Sequence, residues 1–99
     1  MEIKELTQRM HQFVQSKGWY ELDSARPQSL KNLAISLVLE ASEVLEQFQW
    51  QDQPVDSKML GEELADVFLY LLQISSLAQI DLEQVTLEKL DKNYQRKWE

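Results

Sequence analysis

Apolar residues recur along this chain at helical intervals. Ile3, Leu6, Met10, Phe13 and Val14 fall three and four apart, one stripe on a first helix over 2–17. Gly18 reads as its stop. Residues 19–28, with Trp19, Tyr20, Asp23, Ser24 and Arg26-Pro27, read as a loop, and Ser29 as the N-cap of a second helix. That helix is predicted over 29–50 from Leu30, Leu33, Ala34, Leu37, Val38, Ala41, Val44, Leu45 and Phe48. The nearly all-apolar run Leu33–Leu39 predicts that it is buried on most sides. The polar stretch 51–56 around Pro54 is a turn. A third helix follows over 57–79 through Leu60, Leu64, Val67, Phe68, Leu71, Leu72 and Leu77. Asp66, Gln73 and Gln79 interrupt it, which favours a core helix over a membrane span. Asp81, with Gln84 three residues on, resembles a capping box opening a fourth helix through Leu82, Val85, Leu90 and Tyr94 to about Trp98. No strand alternation or hairpin signal appears, so the expected fold is all-α: a small antiparallel four-helix bundle in a single domain over 1–99.

Length and charge narrow the function. The chain has 99 residues, too few for a second core, and so small a core makes self-association an expectation. Seventeen acids against ten bases give a net charge of −7, the wrong sign for a nucleic-acid polymer surface. A phosphate-bearing small ligand is still compatible if a divalent cation accompanies it. There is no cysteine, hence no disulfide framework and no thiol nucleophile. The first residues lack the basic start and apolar run of a signal peptide, so a cytoplasmic location without membrane association is expected.

Most of the acids fit a solvated helix face. Four do not. Glu40 follows the apolar run, and Glu43 lies one turn on. Glu63 and Asp66 are likewise one turn apart, and Asp66 directly precedes Val67-Phe68-Leu69-Tyr70-Leu71-Leu72. Each apolar helix thus projects a carboxylate pair, and the short connection lets the pairs meet. Clustered carboxylates near an apolar layer need a counter-charge. Lys58 is the only base between positions 32 and 88. A hard divalent ion such as Mg²⁺ suits the oxygen donors, and a row of exposed acids is the alternative. The single histidine, His11, belongs to no Glu-x-x-His pair, which argues against a di-iron centre; it reads as an exposed residue of the first helix.

The pattern Glu40-Ala41-Ser42-Glu43 followed by Glu63-Leu64-Ala65-Asp66 resembles the all-α nucleoside triphosphate pyrophosphohydrolases, the MazG-like proteins and dCTP pyrophosphatases. The flanks Glu43-Val-Leu-Glu46-Gln-Phe-Gln-Trp50, Asp66-Val-Phe-Leu-Tyr70 and Lys89-Leu-Asp91-Lys-Asn93-Tyr-Gln-Arg96 are similar to the dCTP pyrophosphatase branch, and the likeness covers nearly the whole chain. It departs in a longer Trp19–Asn32 loop that lacks an expected histidine, and in the ending Arg96-Lys97-Trp98-Glu99.

The resemblance implies Mg²⁺-dependent hydrolysis of a (deoxy)nucleoside triphosphate to monophosphate and pyrophosphate, with Mn²⁺ as a substitute ion and dNTPs such as dCTP preferred. Glu40, Glu43, Glu63 and Asp66 would hold the metal. One of them, or Glu46, would orient the attacking water. Lys89, Asn93 and Arg96 would contact phosphates and sugar, with Lys31 adding a charge. Trp50, Tyr70 and Trp19 would hold the base. Trp50 falls seven residues after Glu43, hence on the same face and about 10 Å further along. The family likeness also implies a homodimer or homotetramer, with sites between the second and third helices completed by a neighbouring subunit. Two other readings remain open: a non-catalytic helical interaction module, and the same fold acting on another pyrophosphate metabolite.

Overall fold

The computed structural model describes residues 2–98. Four helices follow in order: α1 (Ile3–Ser16), α2 (Leu30–Glu46), α3 (Ser57–Leu77) and α4 (Leu82–Gln95), with no strand among the described residues. The long central α3 packs against α2 on one side and α1 on the other. Leu72 is fully buried where α3 meets α1, against Met10 and Val14, with Trp19, Tyr20 and Leu82 closing over them.

Local chemistry sets the helix ends. The Ser29 side chain accepts from the Asn32 N–H, the Asp56 side chain from Lys58 and Met59, and the Asp81 side chain from Gln84, so orphan donors at three N-termini are satisfied. The capping box is only half made: the Gln84 amide donates to Glu88 at 3.0 Å instead of turning back. Helix α1 closes at Gly18, whose φ of +73° lets the Trp19 N–H reach the Val14 carbonyl. Helix α3 closes in the same way, at Ala78, but with Gln79 in the left-handed position at φ +58°. There the Ile80 N–H bonds to the Ser75 carbonyl at 2.8 Å.

Three expectations need correction. Helix α2 ends at Glu46, not residue 50, because the chain tightens into turns in which Gln47 and Phe48 N–H groups bond three residues back. It is not buried on most sides: Leu33 is buried, while Ile35, Val38, Leu39 and Leu45 are exposed, since only α3 packs extensively on it. Nor is the protomer a closed four-helix bundle. The turn at Gln79 deflects α4 by 104° from α3, leaving Val85, Leu87, Leu90 and Tyr94 exposed. No single helix among the described residues is long and apolar enough to cross a membrane.

Candidate active site

Helices α2 and α3 bring their acids together. Glu40, Glu43 and Glu63 each present a carboxylate oxygen, and all three oxygens lie within 4.8 Å of one another. Asp66, one turn beyond Glu63, is more exposed, and its charge acts on both Glu40 and Glu63. Burial is the main cause that raises the Glu40 pKa, followed by contact with Glu43 and the charges of Glu43 and Asp66. Contact with the Glu43 carboxyl, then burial and the surrounding carboxylates, pushes Glu63 up to about 7. The cluster lacks a basic partner: the ion pair among the described residues joins Arg9 to Glu5 on the surface of α1.

The donor set fits a divalent cation. Oε2 of Glu40 and Oε2 of Glu63 are buried with no hydrogen-bond partner, an arrangement that costs free energy unless a positive charge meets them. Glu40, Glu43 and Glu63, with Asp66 beside them, are the residues that could hold it.

A cavity of about 570 Å³ opens from this cluster. Glu40 and Asp66 line its acidic end, and Tyr70 and Gln73 continue along α3. Asp66, Tyr70 and Gln73 are four and three residues apart, so they share one face and span about 10 Å along the helix. The opposite wall comes from α1 and the 19–28 loop. Phe13 meets Trp19 edge-on with ring centroids 5.7 Å apart, and the Arg26 guanidinium lies 4.5 Å from the centre of the Trp19 ring.

Of the residues singled out in the sequence, Glu40, Asp66, Tyr70 and Trp19 line the cavity, while Glu43 and Glu63 lie beside Glu40 without lining it. Glu46 is exposed one turn past Glu43. Lys31 is exposed and lines no part of the cavity. With α2 ended at Glu46, Trp50 sits in the following turn, 87% exposed and off the cavity lining. Lys89, Asn93 and Arg96 stand on and just past the deflected α4, outside the cavity. His11 is not a free surface residue. Its Nδ1 lies 2.6 Å from the Tyr20 hydroxyl and its Nε2 lies 2.7 Å from Ser76 Oγ, and burial lowers its pKa. Sequence reasoning missed Arg9, Arg26, Gln28 and Gln73 at the cavity. The interruption of the α3 apolar run by Gln73 was the visible signal for one of them.

A model of the MazG nucleotide pyrophosphohydrolase domain matches residues 28–98. The chain belongs to this family. The chain is 33% identical over 98 residues to dCTP pyrophosphatase 1 of Rattus norvegicus and 32% identical over 98 residues to dCTP pyrophosphatase 1 of Homo sapiens, each alignment covering 89% of it. It spans about half the length of these curated relatives, 55% in each case. The crystal structure of a pyrophosphatase from Archaeoglobus fulgidus superposes with a TM-score of 0.75 at 31% identity, over 94% of this chain and 89% of that one. Helix α1 and most of the loop after it precede the family match, yet they build one wall of the MazG domain's cavity.

Proposed function

We propose that this MazG domain hydrolyses a deoxynucleoside triphosphate, with dCTP among the preferred substrates, to the monophosphate and pyrophosphate. The observation that carries the reading is the pair of buried, unpartnered oxygens of Glu40 and Glu63 at one end of a nucleotide-sized cavity. The names of the rat and human relatives support dCTP.

In this reading Glu40, Glu43, Glu63 and Asp66 hold Mg²⁺, or Mn²⁺ in its place. Held there, such an ion would supply charge neutralisation at the phosphates and a more acidic water. An acidic pocket accepts a polyanion only with such a cation. Water bonds to a phosphorus of the α–β anhydride, the bond to the bridging oxygen breaks, and a carboxylate of the cluster or Glu46 takes the water's proton. Tyr70 and Trp19 hold the base, with Trp19 stiffened by Phe13 and Arg26.

Lys89, Asn93, Arg96, Lys31 and Trp50 stand away from the cavity of their own protomer. They serve phosphate, sugar and base only across an interface, so the working form is a homodimer or homotetramer. The exposed apolar residues of α2 and α4 support that assembly. Residues 1–99 act as one domain, in the cytoplasm.

Incubation with Mg²⁺ and each of the eight common NTPs and dNTPs, with identification of the phosphorus products, tests this. Monophosphate plus pyrophosphate is expected, lost with EDTA and in Asp66→Asn. Release of orthophosphate, or of nothing from any nucleotide, would overturn it. Mixing Asp66→Asn with Arg96→Ala should restore part of the activity if sites are shared between copies.

A further inference from the structure

Gln73 is polar, 3% exposed, and lines the cavity seven residues beyond Asp66. Its amide nitrogen makes two hydrogen bonds, to Gln28 Oε1 at 2.8 Å and to the Tyr20 hydroxyl at 3.2 Å. Both N–H groups are therefore committed. These bonds use the nitrogen only, so Oε1 is left to accept from whatever enters.

The neighbours fix the orientation of this amide. The Gln28 nitrogen donates to the Arg26 backbone carbonyl at 2.7 Å. A carbonyl can only accept, so Gln28 must turn its nitrogen there and its oxygen towards Gln73. Gln73 must then answer with nitrogen. Turning it over would set two amide oxygens against each other. On the other side, the Tyr20 hydroxyl accepts from Gln73 and is hydrogen-bonded to His11 Nδ1 at 2.6 Å, and His11 Nε2 is hydrogen-bonded to Ser76 Oγ at 2.7 Å. The chain of bonds ties α3 through the 19–28 loop to α1. Asn32 repeats the arrangement at the cavity wall: its nitrogen donates to the Pro27 carbonyl at 3.0 Å, and its Oδ1 is left over.

We infer that Gln73 is a specificity-determining residue that reads the edge of the base through Oε1, with Gln28 and Tyr20 as positioning residues, and that it selects a base carrying an exocyclic amino group. This rests on the nucleotide reading of the same cavity. With the phosphates at the acidic end, the stripe Asp66, Tyr70, Gln73 sets carboxylate, aromatic ring and amide oxygen in the order phosphate, base face and base edge. The 4-amino group of cytosine donates to Oε1. The 4-keto oxygen of uracil meets a second acceptor with no proton between them, and Gln73 cannot turn to relieve it.

Calorimetric binding of dCMP and dUMP in the presence of Mg²⁺ tests the inference without requiring turnover. The expected preference for dCMP is about tenfold or more, the scale of one buried hydrogen bond exchanged for an unpaired acceptor. It should collapse towards unity in Gln73→Met. It should also collapse in Gln28→Met, where Gln73 remains but is free to turn. That second variant changes a loop residue and guards against misfolding of the first. Equal binding by the unsubstituted protein, binding of neither nucleotide, or a preference kept in both variants would overturn the inference. Hydrolysis of dCTP, followed in parallel, separates the two readings. Turnover without base discrimination sinks this inference alone, and discrimination without turnover sinks the proposed reaction alone.

Discussion

A divalent ion entering the carboxylate cluster must displace a proton, and the structure sets how strongly. Glu63 is pushed up to about 7 by Glu43, by burial and by the neighbouring acids. A proton competing with the metal weakens apparent affinity by the factor 1 + 10^(pKa − pH). With Glu63 at about 7, that factor is about 1.1 at pH 8, about 2 at pH 7 and about 11 at pH 6. Mg²⁺ or Mn²⁺ should therefore bind about tenfold more weakly at pH 6 than at pH 8. Proton release per ion should rise from about 0.1 at pH 8 to about 0.9 at pH 6. Titration calorimetry in two buffers of different ionisation heat measures both quantities. In Glu63→Gln the pH dependence should flatten along with a large loss of affinity. A dissociation constant indifferent to pH, or no proton released at pH 6, would refute the idea that the metal displaces a proton from Glu63.

The same shift makes metal-free stability depend on pH. The folded pKa of Glu63 lies above its ordinary 4.5, so its contribution is fully present below 4.5 and is lost as pH rises through about 7. Melting in EDTA should show Glu63→Gln gaining on the unsubstituted protein as pH goes from 5 to 8; a gap that does not widen would count against it. Glu43→Gln and Asp66→Asn should remove turnover while circular dichroism and melting show the fold intact, whereas unfolding would make these acids structural. Leu72→Ala should cost about 2–5 kcal/mol in denaturant unfolding, because its fully buried side chain joins α3 to α1. Gln79→Gly should raise stability by about 0.5–1 kcal/mol by relieving a left-handed glutamine, and a loss of stability would show that the Gln79 side chain is needed there.

The helices were legible in the sequence because apolar spacing and caps such as Ser29 and Asp81 are local signals. So were the paired carboxylates, since i and i+3 on a helix share a face. Trp50 shows where that reasoning stops. Phe48 sustains the helical spacing, but the chain has already turned at Gln47, so the helix extrapolated to residue 50 overshoots and Trp50 stands exposed off the cavity lining. The closed bundle failed for a related reason: the apolar face of α4 says that something covers it, and not which helix does. The amide relay was out of reach. Its bonds join Gln73 to Gln28 and Tyr20, and His11 to Ser76, across 45, 53 and 65 positions, and no local pattern links them.

Helix α4 has a consequence for how order is distributed through the protomer. It has 14 residues, about the length at which a helix alone in water is marginal. Leu82, at its first position, is its link to the core, while Leu87, Leu90 and Tyr94 face outward. Its backbone amides should exchange with solvent deuterium far sooner than those around Leu72, whose opening requires α1 and α3 to part. Dilution series of such exchange would turn α4 into a gauge of assembly: its protection should climb with protein concentration while that of α3 stays level.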